Sequence, residues 1–225
     1  VLATQQLADY SVRAGVKQFI YASSGSVYGI KEEPKVTEDL TLIPISVYNM
    51  TKMVAERILL SYKDQMKIHC IRPATVCGWS PRMRLDLSVN MLTLQALSNK
   101  RITVFGGNQT RPNIHIIDMV RVYQHFLSTA SINSGCYNAG FENISILEIA
   151  NQISNKIPSE IAITESNDPR SYRLSSEKLT KTGFKQQYSV EDAIEEMILK
   201  YNNGEMKDSP ESYTVGWMKE LNLHH

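Results

Sequence analysis

VKQFIYASSGSVYG, residues 16–29, decides the fold class. Phe19, Ile20 and Tyr21 form a short apolar run that ends in small polar residues. Such a run, closed by a serine–glycine turn, predicts a strand buried in a parallel sheet. Upstream, Leu2, Ala3, Leu7, Ala8 and Val12 make a helical stripe over residues 2–13, and Gly15 suits a helix stop. A helix therefore feeds a central strand.

Downstream, SSGSVYGIKEEPKVTEDLTLIPIS (23–46) is polar, contains Pro34 and Pro44, and predicts a long loop. Long ordered loops are often functional. Ser46 or a neighbour opens the next helix, which runs to about Tyr62. KIHCIRP (67–73) predicts a second buried strand, and ATVCGWSPRMRLD (74–86) a loop. Leu85–Leu97 predicts a helix, RITVFGG (101–107) a strand and turn, and HIIDMVRVYQHFLSTA (115–130) an amphipathic helix. GCYNAG (135–140) predicts a strand entering a glycine turn, ISILEIANQIS (144–154) a helix and IAIT (161–164) a strand. Three helices close the pattern, over 175–183, 189–204 and 213–221. This alternation predicts an α/β fold with a mostly parallel sheet.

Composition narrows the function. The 225 residues are 42% hydrophobic and 21% charged, as in a globular chain of one domain or two small lobes. A net charge of +1 supplies no field for nucleic acid. Cys70, Cys77 and Cys136 are odd in number and widely spaced, so neither a disulfide framework nor a zinc site follows, and a reducing compartment is expected. No apolar run is long enough to span a membrane. VLATQQLADY lacks the layout of a secretory signal.

Tyr48 and Lys52 lie four apart in YNMTK, on one face of the predicted helix. An ammonium beside a phenol stabilises the phenolate and draws the phenol below its ordinary value of about 10, making it a proton carrier near neutral pH. Taken alone, this spacing also arises by chance on many helices. Ser23, Ser24 and Ser26 follow a strand end, where open α/β sheets place their ligand crevice. A hydroxyl there either orients a substrate oxygen or satisfies its own turn backbone.

The ordered set YASSGSVYG, SVYNMTKMVAERI, IRPATVCG, TRPNIHIIDMV and GCYNAG resembles the extended short-chain dehydrogenase/reductases, and within them the NAD-dependent nucleotide-sugar epimerases and dehydratases, of which UDP-glucose 4-epimerases are the best-known members. The resemblance runs from the opening helix to Gly183 and Phe184. It implies a partial Rossmann-like parallel sheet with helices on both faces, followed by a small C-terminal α/β substrate-binding lobe. Residues 1–75 then form the C-terminal part of the dinucleotide-binding domain. Residues 76–225 are mainly the substrate lobe, with some segments returning to the sheet.

The resemblance also implies roles. Tyr48 matches the catalytic acid/base, Lys52 the lysine that lowers its pKa and holds the nicotinamide ribose, and Ser24 the hydroxyl that orients the substrate. Ala22, Ser23, Arg72 and Pro73 join Tyr48 and Lys52 as the implied NAD-binding set. Ser24, Ser26, Arg82, Arg111 and Arg170 are the implied substrate set, the arginines because their forks suit a nucleotide-sugar diphosphate. Pro112 and Asn113 depart from the acidic and aromatic residues usual after Arg111. The Tyr28 ring either walls the site or packs. Cys77 and His115 are expected to be structural, and Asp118 to favour a helix N-terminus. No metal site is expected.

The family's dehydratases carry an acidic pair just after the position of Ser24. Gly25 and Ser26 stand there, which favours epimerisation of a nucleotide-diphosphate sugar over dehydration, with reduction and decarboxylation as further family chemistries. The glycine-rich NAD turn and its acidic partner are absent from the sequence. A chain shortened relative to a longer enzyme is the expectation, and a non-catalytic, nucleotide-sugar-binding remnant is the alternative. A homodimer and a cytoplasmic location are also implied.

Overall fold

A computed structural model describes residues 1–166 and 171–221. The chain opens with helix α1 (Leu2–Arg13), stopped at Gly15, whose φ of +74° is a conformation that glycine adopts without strain. Strand β1 (Gln18–Ala22) and a 3-10 turn (Gly25–Tyr28) lead into the long loop. Ser46 caps helix α2 (Val47–Leu60) by accepting the Asn49 N–H at 3.2 Å. Strand β2 (Lys67–Pro73) follows, then β3 (Thr75–Cys77), α3 (Ser88–Asn99) and β4 (Arg101–Phe105). Next come β5 (Thr110–His115), α4 (Ile116–Ser128), β6 (Gly135–Ala139), β7 (Glu142–Ser145), α5 (Ile146–Lys156) and β8 (Glu160–Thr164). Helices α6 (Glu177–Thr180), α7 (Val190–Asn202) and α8 (Thr214–Glu220) complete the described residues.

The first sheet is parallel, in the order β1-β2-β6, and alternation along β2 builds a core on each side of it. Ile68 and Cys70 pack with Ala8 of α1 and Leu59 of α2. Ile71 joins Val122 and Phe126 of α4 on the opposite face. Helices thus cover both faces of a parallel sheet, as expected. A separate core gathers Val89, Leu92, Ile102, Ile149, Ile153 and Ile194 where α3, α5 and α7 meet the parallel pair β4-β8. Between these bodies lies a second sheet, β3-β5-β7.

This second sheet departs from expectation. Residues 74–86 were expected to be loop, yet 75–77 form β3; residues 110–115 form β5 ahead of the expected helix, and β7 was not foreseen. Such strands are too short to show alternation, and Pro112 argues locally against a strand. It is accommodated because β3 reaches only to Asn113, leaving Pro112 with a neighbour on the β7 side alone. The third helix begins at Ser88 rather than Leu85.

The loop after β1 is firmly held. Val36 bridges Leu174, with the Val36 N–H bonded to Arg173 O at 2.7 Å and the Ser175 N–H to Val36 O at 2.9 Å. At Gly29 (φ +72°) a Cβ would stand 1.9 Å from Ile43 O, so only glycine lets the loop fold back against the turn. Among the described residues no helix is long and apolar enough to cross a membrane.

Candidate active site

The C-terminal end of β1 and the first two turns of α2 meet through two hydrogen bonds. Lys52 Nζ donates to Ala22 O at 2.7 Å, and Ser26 Oγ donates to Asn49 Oδ1 at 2.8 Å. These contacts bring the serine turn against the helix that carries Tyr48 and Lys52, at the carboxyl end of a parallel strand, where α/β sheets bind ligands. Tyr48 is 56% exposed there.

Counting protons orients the serine turn. Ser26 uses its hydroxyl proton on Asn49, so in the 2.7 Å contact between Ser24 and Ser26 it is Ser24 that donates. Ser24 Oγ also accepts the Ser26 N–H at 3.2 Å, so its own proton is the group it can turn toward a substrate oxygen. Asn49 escaped the sequence reading. It is buried beside Tyr48 and ties the serine turn to the helix.

Lys52 Nζ lies 5.7 Å from the centre of the Tyr48 ring and 5.0 Å from that of Tyr21, within cation–π reach of both. Partial burial holds its ammonium below the usual lysine range. One of its three donors is used on Ala22 O, so two remain for a ligand.

Ser23 and Arg72 lie beneath the crevice. Ser23 Oγ donates to Glu56 Oε1 at 2.5 Å. Arg72 grips the same carboxylate with both edges of its fork, Nε to Oε1 at 2.9 Å and Nη2 to Oε2 at 2.7 Å. Arg72 Nη1 donates to Tyr28 OH at 2.8 Å, which donates in turn to Asn138 Oδ1 at 2.8 Å. The polar atoms of Ser23 and Arg72 are therefore engaged with the interior, which leaves their backbone, with that of Pro73, at the strand ends. Tyr28 is fully buried, so its ring packs rather than walls the crevice, and burial raises its phenol pKa.

Among the described residues, the expected arginines have partners of their own. Arg82 donates to Glu211 O at 3.3 Å and Thr214 Oγ1 at 3.4 Å, with its guanidinium 5.9 Å from the Trp217 ring. Arg111 is half-buried on β5 and donates to Thr110 O at 3.3 Å. Arg170 falls outside the described residues. His115 caps α4 through Nδ1, which accepts the Ile117 N–H at 3.1 Å, stacks on Tyr188 at 5.0 Å, and has Nε2 3.5 Å from Glu196 Oε2. Asp118, buried in the first turn of α4, accepts the N–H groups of Gln187 and Tyr188 and pairs with Arg121. Burial pushes the Cys77 thiol up to about 12, away from the thiolate form. Among the described residues no three His, Cys, Asp or Glu side chains group to hold a metal ion.

Glu56 also escaped the sequence reading. Its signal was available: it lies four residues after Lys52, between the buried positions Ala55 and Leu59.

A family model described as the NAD dependent epimerase/dehydratase family matches residues 1–140. Over 155 residues the chain is 31% identical to an uncharacterized UDP-glucose epimerase, YtcB, of Bacillus subtilis, covering 68% of this chain and 49% of that protein. It is 29% identical over 222 residues to the UDP-glucose 4-epimerase of Streptococcus mutans, covering 86% of this chain and 65% of that one. A solved UDP-glucuronic acid 4-epimerase from Bacillus cereus, in complex with UDP-glucuronic acid and NAD, shares the fold with a TM-score of 0.79 and 28% identity, over 90% of this chain and 67% of its own. The chain thus spans about half to two-thirds of the length of these relatives. With the family model matched from Val1 to Gly140, the chain belongs to the NAD dependent epimerase/dehydratase family.

Proposed function

We propose that this chain provides the Ser/Tyr/Lys half of an NAD-dependent enzyme that inverts a hydroxyl-bearing carbon of a nucleotide-diphosphate sugar. The observation that supports this reading is the junction of α2 with the end of β1, which holds Lys52 on Ala22 O beside the Tyr48 ring and the Ser24–Ser26 turn on Asn49.

The residues present fit the nicotinamide-ribose end of NAD. Lys52 keeps two donors for a ribose diol, and the backbone at Ala22, Ser23 and Pro73 borders the strand ends. When bound, NAD supplies reversible hydride acceptance. This chain's own groups handle the proton and the pose. Tyr48 takes the proton of the reacting hydroxyl and later returns it. Lys52 stabilises the phenolate by charge. Ser24 turns its hydroxyl proton from Ser26 to the oxygen of the same sugar hydroxyl, whose own proton goes to Tyr48, and so sets its direction. Arg82, Arg111 and Arg170 are the candidates for the diphosphate.

Epimerisation is favoured over dehydration by the space at Gly25. Gly25 and Ser26 carry no carboxyl, and a Cβ at Gly25 would lie 3.0 Å from Pro73 O, close enough that the strand end would have to give by a few tenths of an ångström. A homodimer is supported by α1, which exposes Leu2, Leu7 and Tyr10. Three free cysteines suit the reducing cytoplasm.

The test uses the protein purified from its own host. Native mass spectrometry reports its chain length, its oligomeric state and any retained dinucleotide, and NMR follows a panel of nucleotide-diphosphate hexoses and hexuronic acids for epimers. Inversion in the wild type, with kcat lowered about 100-fold or more in Tyr48→Phe, is expected. A protein that retains no dinucleotide, binds none when it is added and inverts no sugar would overturn the proposal in favour of a non-catalytic, nucleotide-sugar-binding role.

A further inference from the structure

We infer that Glu56 is a positioning residue: its carboxylate sets the rotation and height of the Tyr48–Lys52 helix against the strand ends and anchors the residue preceding Ser24. The inference rests on the reading of Ser24, Tyr48 and Lys52 given above and adds to it a group that touches neither substrate nor cofactor.

Tyr48, Lys52 and Glu56 recur every four residues, so they share one stripe of α2. The first is exposed, the second partly buried and the third only 2% exposed. At its buried end the stripe meets three donors on one carboxylate: Ser23 Oγ from the end of β1, and Nε and Nη2 of Arg72 from the end of β2. The carboxylate therefore joins α2 to the ends of β1 and β2 at one point, one turn below Lys52, and its partner Ser23 is next in sequence to Ser24. Arg72, itself 4% exposed, extends the junction through Tyr28 to Asn138 at the end of β6.

Stability alone does not account for such a group. A buried ion pair must overcome the desolvation of both charges, and packed apolar side chains of similar volume commonly hold a fold as well or better. Apolar contacts tolerate small rotations and slides, however, whereas a two-pronged arginine–carboxylate bond with a third donor admits one arrangement. That arrangement matters here because Lys52 reaches Ala22 O, and Asn49 reaches Ser26, only at one setting of the helix. Misplacement of a reacting group by about 1 Å lowers rates about 100-fold.

Two variants separate positioning from packing. The first is Glu56→Met combined with Arg72→Met, which removes both charges and keeps the bulk. It is expected to unfold at a denaturant midpoint at or above that of the wild type, with KM within about 3-fold and kcat lowered about 10- to 100-fold. The second is Ser23→Ala, which keeps the ion pair and frees only the end of β1, and is expected to lower kcat about 5- to 10-fold at unchanged KM. Folded variants with wild-type kcat refute the inference. Should the double variant not fold, Ser23→Ala decides.

A readout independent of turnover is the rate at which Lys52 is acylated by limiting acetic anhydride, resolved by peptide mass spectrometry. Loosening its bond to Ala22 O is expected to change that rate at least about 5-fold in either variant. An unchanged rate in both overturns the inference even if the wild type proves inactive. A changed rate with an inactive wild type keeps the positioning role and removes only the catalytic reading of the site.

Discussion

Replacing Tyr28 with Phe removes one oxygen atom from the middle of the buried chain Arg72–Tyr28–Asn138 and leaves the ring in place. The hydroxyl accepts from Arg72 Nη1 and donates to Asn138 Oδ1, both at 2.8 Å. After Tyr28→Phe, Arg72 Nη1 keeps only a long contact to Glu38 O at 3.5 Å. Asn138 Oδ1 loses the Tyr28 donor, while its amide nitrogen stays bonded to Val36 O and Ser175 O, so the side chain cannot simply flip. An unsatisfied buried polar group costs about 1–3 kcal/mol, more when charged, so the substitution is expected to cost about 3 kcal/mol. For a chain of this size that is a fall in Tm of about 6–12 °C. Urea denaturation measures it, with the midpoint falling and the m-value unchanged. Tyr62→Phe is the comparison: its hydroxyl donates to Asp9 Oδ1 at 2.6 Å near the surface, where water replaces the bond, and its midpoint should stay close to wild type. A loss below about 1 kcal/mol for Tyr28→Phe would show that water reaches the network, and would remove the argument that it is a rigid junction.

His69 is fully buried and held neutral: Nδ1 accepts from Gln18 at 3.1 Å and Nε2–H donates to Ile132 O at 3.3 Å. Burial lowers its pKa, so the unfolded chain takes up a proton first as pH falls below about 6.5, and stability drops from there down to the native value, by up to about 1.4 kcal/mol per pH unit. Urea titrations of His69→Gln from pH 7 to 5 should show a shallower fall, and a slope equal to wild type would contradict the assignment. Gly29→Ala places a Cβ 1.9 Å from Ile43 O at a φ of +72°, and is expected to cost about 3 kcal/mol or more by thermal denaturation. A Tm within about 2 °C of wild type would mean that the loop does not close as described.

Periodicity and end signals were sufficient for the elements that touch the first sheet. The apolar run at 19–21, the stripe over 2–13, Gly15 and Ser46 each act through neighbours a few residues away, so the sequence shows them directly. The Tyr48–Lys52 spacing and the serines after β1 were legible for the same reason, since one helix turn and one strand end place them. The second sheet was not legible, because β3, β5 and β7 become strands through one another. Pro112 in particular is tolerated only because of where β3 stops.

The family assignment and the parallel α/β class were thus written in the chain itself: both rest on local pattern and on motifs in a fixed order. What the hydroxyls and charges do was decided in three dimensions. Ser23 reads as a ligand-side residue from its position after a strand and Arg72 from the resemblance, yet a glutamate from another element turns both toward the interior. Arg82 is held by residues more than a hundred positions downstream. Hydrogen-bond partners are set by which donors and acceptors the packed backbone brings within about 3 Å, and a spacing along one helix or strand carries no information about the groups that arrive from the others.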